Sequence, residues 1–184
     1  MREANQAYEH GDSNRLRKIL KEYEIGPESL QESAAAADLV SVVRGLTRKI
    51  RLQLTFMERF GNDRMKRHRR LLAQHLRLTP PSGEMPEEVL NFFDEMSLFL
   101  RYGYLEEKVV WSTFGFSACR WWATCDDSVI AERRKRNDPT LFTGFQNLAM
   151  RFSVRDAQAG FQEPTLADLT MFLEGERRLT ATLP

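Results

Sequence analysis

The chain has 184 residues, of which 42% are apolar and 29% charged, with 27 Lys/Arg against 26 Asp/Glu for a formal net charge of +1. A chain of this length can bury an independent core as one domain or two small ones, and its composition excludes both a disordered tail and a membrane protein. No apolar run approaches the roughly 20 residues needed to cross a bilayer, and Cys119 and Cys125 alone give no disulfide framework, so a reducing cytoplasm is the expected compartment.

The opening residues, Met1-Arg2-Glu3-Ala4-Asn5, are polar and lack the apolar stretch of a secretory signal. Asp12 is a good N-cap for a first helix, in which Leu16, Ile19, Leu20 and Tyr23 follow the spacing of one buried face. Gly26-Pro27 breaks that helix and starts the next, because proline suits a first helical position. The spacing of Leu39, Val42, Val43, Leu46, Ile50, Leu54 and Met57 predicts a long amphipathic helix over 34–60, with Arg44, Arg48 and Arg51 on other faces. Gly45 inside it costs about 1 kcal/mol relative to alanine and is expected to mark a close helix crossing. Gly61-Asn62 stops this helix, and a basic helix is expected to continue to residue 78.

Residues 79–86, Thr-Pro-Pro-Ser-Gly-Glu-Met-Pro, cannot continue a helix and are expected to link a basic segment, 1–78, to an aromatic-rich acidic bundle, 87–184. Pro86-Glu87-Glu88 opens the next helix with acids in its first turn, where they complement the dipole. Its buried face is Val89, Phe92, Phe93, Met96, Phe99 and Leu100, and Tyr102-Gly103-Tyr104 turns the chain. A helix from 106 to 136 passes through Val110, Phe114, Cys119 and Trp122, with Gly115 as a bend or a site of close packing. Asp138-Pro139 is expected to open a further helix through Phe145, Leu148 and Phe152. Thr165-Leu166-Ala167-Asp168 resembles a capping box and starts a last short helix. With no alternating strand pattern, the class is all-α: a helical bundle of six or seven helices in two parts.

The small net charge hides a split. Residues 1–80 carry 16 Lys/Arg against 10 Asp/Glu, and residues 81–184 carry 11 against 16. Such a split supports head-to-tail self-association, docking of one half on the other, or an anionic partner at the basic end. The run Arg64-Met65-Lys66-Arg67-His68-Arg69-Arg70 makes Arg64, Lys66, Arg67, Arg69 and Arg70 candidate contacts to phosphates, on nucleic acid or anionic lipid. The alternative is a solvated helix face whose charges meet the acidic half. A second run, Arg133-Arg134-Lys135-Arg136, complements the dipole at a helix C-terminus.

Metal ligation needs His, Cys or carboxylates at short spacing on one face. His10, His68 and His75 are the only histidines, and Cys119 and Cys125 are six apart, so no metal is expected. No G-x-S-x-G, phosphate-cradling loop or G-x-G-x-x-G is present, so no catalytic residue and no cofactor is assigned. The acidic pairs Glu87/Glu88, Glu106/Glu107 and Asp126/Asp127 are read as partners of helix ends. Ten aromatic residues lie between Phe92 and Trp122. Most of them belong to a core, but Trp111, Trp121 and Trp122 with Phe114 and Phe116 cover more than one helix face, and Trp111, Phe114, Trp121 and Trp122 are the candidate protein interface.

Val89-Leu90-Asn91-Phe92-Phe93-Asp94-Glu95, Arg101-Tyr102-Gly103-Tyr104-Leu105-Glu106-Glu107, Val110-Trp111-Ser112-Thr113-Phe114-Gly115, Arg120-Trp121-Trp122 and Ile130-Ala131-Glu132-Arg133-Arg134 stand in one stretch. Over residues 86–152 they resemble a bacterial helical family known as domain of unknown function 4760. That resemblance implies an all-α fold and transfers no catalytic residue. Glu3-Ala4-Asn5-Gln6-Ala7-Tyr8-Glu9-His10-Gly11-Asp12, Leu16-Arg17-Lys18-Ile19-Leu20-Lys21-Glu22-Tyr23-Glu24, Pro27-Glu28-Ser29 and Ala37-Asp38-Leu39-Val40-Ser41-Val42-Val43-Arg44 are similar to the helical extension after the J-domain of some bacterial co-chaperones. The His-Pro-Asp loop of a J-domain is not in the sequence. The expected function is a non-enzymatic helical module acting through a protein partner or self-association, in a setting linked to a chaperone or regulatory system. The alternatives are phosphate-dependent binding through 64–70 and an unrecognised enzyme.

Overall fold

The computed structural model describes residues 36–77 and 83–179, with side chains from residue 41 onward. Among these residues there are six helices and no strand: α1 (Ala36–Gly61), α2 (Asp63–Leu76), α3 (Glu88–Arg101), α4 (Glu107–Arg136), α5 (Thr143–Gln158) and α6 (Leu166–Arg177). The all-α class is therefore met, and the first two expected helices lie outside the described residues. The chain divides into two compact units, Met1–Ile50 and Arg51–Pro184. In the first, the described residues are the N-terminal part of α1. There Gly45 is exposed and a Cβ built on it meets nothing, so it marks no close crossing among the described residues.

Local chemistry explains most helix boundaries. Asn62 is extended, and its side chain accepts the Met65 N–H at 2.8 Å, so one residue both ends α1 and caps α2. Gly103, at φ 71, completes the tyrosine turn between α3 and α4. The last turn of α4 holds Arg133, Arg134, Lys135 and Arg136, and Asn137 stops it in the left-handed region. At α6 the capping box forms in full: Thr165 Oγ1 accepts the Asp168 N–H at 3.2 Å, and Asp168 accepts the Thr165 N–H at 2.8 Å.

The start of α5 departs from expectation. Asp138 does form a local turn, accepting the N–H and hydroxyl of Thr140 at 2.9 and 2.6 Å. The helix nevertheless begins only at Thr143. Phe142, buried, occupies the left-handed region at φ 56 and re-aims the chain, a conformation that costs about 1–2 kcal/mol outside glycine. The cap comes from another helix: Asp94 of α3 accepts the Phe145 N–H at 2.9 Å. Gly144 permits this approach, since a Cβ there would stand 2.8 Å from the same carboxylate oxygen.

The second unit is organised around rings. Phe60, from the end of α1, lies 5.2 Å from Phe92, 5.7 Å from Phe93 and 5.7 Å from Phe114. Phe56 meets Phe92 and Phe99 edge-on, Phe93 stacks on Phe145 at 4.8 Å, and Trp122 meets Phe145 edge-on. Edge-on and offset contacts of this kind add to the area buried. Helix α3 packs on α5, α5 on α4, and α2 on both α3 and α6.

The expected link at 79–86 falls inside the second unit. Residues 78–82 lie outside the described residues, but α2 joins the bundle, burying Leu72, Ala73 and His75. The reason is electrostatic as well as apolar. Arg59 grips Glu95 with two hydrogen bonds of 3.0 and 2.7 Å, Arg69 grips Glu176 at 2.7 and 2.6 Å, Arg77 meets Glu174, and His68 lies 3.4 Å from Glu88. Within the second unit, part of the basic segment thus meets acids of the aromatic bundle through these pairs.

The borrowed cap is open to test. Asp94→Ala should cost about 1 kcal/mol, as loss of an N-cap does. Gly144→Ala should stabilise by up to about 1 kcal/mol in that background, where helix propensity alone acts, and by clearly less in the wild type. Urea unfolding midpoints of the four proteins measure this; equal gains in both backgrounds would show that the carboxylate does not cap α5.

Candidate functional site

Two clefts stand out on the second unit. The larger, about 710 Å³, is bounded by His68, Glu84, Glu87, Glu88, Lys135 and Arg136. Its charges largely neutralise one another: Arg136 binds both Glu87 and Glu132, and Lys135 binds Glu132 at 3.0 Å. The smaller, about 470 Å³, runs between α4 and α6 and is bounded by Arg69, Phe116, Arg120, Met171, Phe172 and Glu176. Here apolar surface is open to solvent, with Phe116 61% and Met171 65% exposed. Arg120 lays its guanidinium 3.6 Å from the centre of the Phe116 ring, a cation–π contact, and has no carboxylate within ion-pair distance among the described residues. Its charge is felt at longer range by Asp168, whose carboxyl is held low first by the Thr165 hydroxyl and backbone and only lastly by Arg120. Phe172 stands edge-on to Trp121 at 5.1 Å and to Phe116 at 6.3 Å. Behind it, Arg69 lies 4.2 Å from the Phe60 ring centre while holding Glu176. This α4–α6 groove is the candidate site.

The four residues expected to form a protein interface divide by burial. Trp121 and Phe114 are buried in the core. Trp122 is half-buried against Phe145, and Trp111 donates its indole N–H to Asp156 at 2.8 Å with Arg155 over its ring. Phe114 and Trp121 are therefore committed to the core, whereas Trp111 and Trp122 keep part of their surface exposed. The exposed aromatic on α4 is Phe116, which belongs to the same aromatic group but stands outside the four candidate interface residues. Its spacing from Arg120, one helical turn on, was the available signal, and a groove-facing Arg/Phe pair is a common interface element. Gly115 does mark close packing: a Cβ there would meet the Trp111 ring at 2.9 Å.

The five candidate phosphate contacts also divide. Arg69 is consumed by Glu176, and Lys66 pairs with Asp63 at 3.1 Å. Arg64 and Arg67 are exposed and Arg70 half-buried, with no carboxylate partner for any of them among the described residues. Of the acidic pairs, Glu87, Glu88, Glu106 and Glu107 do stand at helix starts, and Glu107 receives Arg151 and Arg155. Asp126 and Asp127 fall in the middle of α4 instead, because that helix runs unbroken for 30 residues.

Both thiols are buried. Burial pushes the Cys119 thiol up to about 11; the Ser153 hydroxyl, which donates to it at 3.7 Å, works against that rise, and the Asp156 carboxylate, 3.6 Å away, adds to it. Cys125 is raised by burial as well. At neutral pH both hold their protons, and the thiolate is the reactive form. Among the described residues, no group of three or more His, Cys, Asp and Glu could hold a metal ion, and no helix is long and apolar enough to cross a membrane.

Compared with known proteins, residues 32–152 match the family described as Domain of unknown function (DUF4760). The match reaches further towards the N-terminus than the resemblance over 86–152 implied, taking in α1 and α2 and stopping within α5. No curated protein and no solved structure matches. The similarity of residues 1–45 to a co-chaperone extension rests mainly on residues outside those described, and no comparison supports it.

The raised thiols set a pH dependence. A thiol that holds its proton to about 11 when folded, against an ordinary 9.0, contributes stability that is present below pH 9. That contribution is lost as pH rises towards 11, where the unfolded chain sheds a proton the folded chain keeps. Unfolding free energy should therefore fall over this window, and Cys119→Ser should remove part of the slope. Iodoacetamide at pH 8 should label both cysteines far more slowly in the native than in the urea-unfolded chain; equal rates would contradict the burial described.

Proposed function

The chain belongs to the family of the domain of unknown function DUF4760, and from that premise we propose that it is a non-enzymatic helical module that binds another protein through the α4–α6 groove. One observation carries this reading. Phe116 and Met171 leave large apolar side chains in water on either side of a groove where Arg120 offers a cation without an ion-pair partner among the described residues. Burial of such groups contributes about 25 cal/mol per Å² of apolar area, and Phe with Arg is a frequent pairing at the centre of interfaces. The matching partner surface carries an aliphatic or aromatic knob beside a carboxylate that reaches Arg120. The two neutral, unpaired thiols fit a reducing compartment such as the cytoplasm.

The test is site-specific photocrosslinking in the native host. A photoreactive phenylalanine analogue at Phe116 should give a discrete protein adduct that Arg120→Glu weakens, while the same group at exposed Asn147 on α5 should give none. A folded protein that yields no adduct at 116 would remove the groove as an interface.

A second reading is favoured by Arg64, Arg67 and Arg70, which lie three residues apart on α2 without carboxylate partners among the described residues. Such a row fits a phosphate-bearing surface, nucleic acid or an anionic membrane. At about 1 kcal/mol per arginine near an anionic bilayer, reversing all three to Glu should cut binding to phosphatidylserine vesicles or duplex DNA by more than about a hundredfold. Binding that persists in the reversed protein, or that is absent from the wild type at low salt, rules this reading out.

A further inference from the structure

Helix α6 differs from the other helices of the second unit in how it is held. It is joined to α5 by residues 159–165, of which 161–165 have no regular structure and all but Pro164 are exposed. It carries its own capping box, so its start needs nothing from its neighbours. It packs on α2 and α4, which lie far from it in sequence. Its buried side chains are Leu173 and Glu176, with Phe172 half-buried against Trp121. The directional bonds are ionic: Glu176 to Arg69, and Glu174 to Arg77. A helix of 12 residues is marginal alone, so α6 owes its order to this seat. The seat itself recognises a pattern, Phe172-Leu173-Glu174 with Glu176 two residues on, and would recognise it equally on another chain.

From this we propose that α6 exchanges between two copies of the chain, each copy placing its α6 on the α2–α4 seat of the other. Exchange of an identical element keeps every native contact and changes only the path of the link. Seven extended residues reach up to about 24 Å, which is ample for a hinge. The α4–α6 groove is then completed between copies, Phe116 coming from one and Met171 from its partner. Self-association follows from contacts already present within one chain, with no new surface. The inference does not depend on the groove binding a further protein.

Charge reversal gives a test with an internal control. Arg69→Glu alone sets two carboxylates against each other across the seat, and Glu176→Arg alone sets two guanidiniums there. Each variant therefore disfavours its own α6, in the monomer and in an exchanged homodimer alike. Refolded together from denaturant at high concentration, they can restore opposite charges in both seats only as an exchanged heterodimer. The expected result is a 1:1 species of twice the monomer mass by light scattering, absent from either variant alone. The double variant Arg69→Glu/Glu176→Arg, which restores the pair within one chain, serves as the folded reference. If the co-refolded mixture shows no heterodimer, exchange is overturned. This holds whether the single variants are folded alone or not, since unfolded ones should regain the reference melting transition on mixing. A heterodimer without crosslinks at Phe116 would leave exchange standing and remove the groove reading alone.

Discussion

A guanidinium cannot be drawn below the surface of a helical bundle without an anion to meet it, because the desolvation cost of a lone buried charge exceeds what a small domain can tolerate. Arg69 is drawn in on α2, its side chain only 13% exposed, and Glu176 of α6 meets it at 8% exposure with both oxygens engaged. Arg59 and Glu95 repeat the arrangement nearer the surface, joining the end of α1 to α3. These pairs fix which helix lies on which. Rings then fill the space: Arg69 covers Phe60, and Phe60 gathers Phe92, Phe93 and Phe114. Rings alone would tolerate several packings, whereas a forked ion pair in low dielectric tolerates one.

What could be seen in the sequence was whatever local chemistry decides. Asn62 after Gly61, and Thr165 with Asp168, announced helix starts that depend on two or three adjacent residues. The start of α5 could not be seen, because its cap, Asp94, lies 51 residues upstream on another helix. The facing of α4 was likewise hidden. Apolar residues occur all round that helix, since α2, α5 and α6 each pack on it, so spacing alone could not separate buried Trp121 from exposed Phe116. The basic run on α2 was visible as a run, but the partner that removes Arg69 from it stands 107 residues away. The length of the family match points the same way: it begins ahead of α1, so the basic pair of helices belongs with the aromatic block that follows.

The functional reading rests on what the fold leaves over. The larger cleft largely neutralises its own charges, the thiols are raised by burial, and Trp121 is spent on packing. Left over are an open groove with one guanidinium beside two exposed apolar side chains, and three arginines in a row on α2. Both lie along elements that the Arg69–Glu176 pair holds in register, so the same contact that organises the bundle also sets the shape of the surface it presents.

The borrowed cap of α5 has a consequence for how the bundle breathes. The Phe145 amide in the first turn of α5 is not free for solvent until Asp94 lets go, and Asp94 sits in the middle of α3 beside Phe93, which stacks on Phe145. Opening of that turn is therefore coupled to α3 through this bond. Helix α6, which terminates its own backbone, can fray and reseat without disturbing them. The origin of a cap thus decides what moves together: a helix start closed by its own residues opens alone, and one closed from another helix does not.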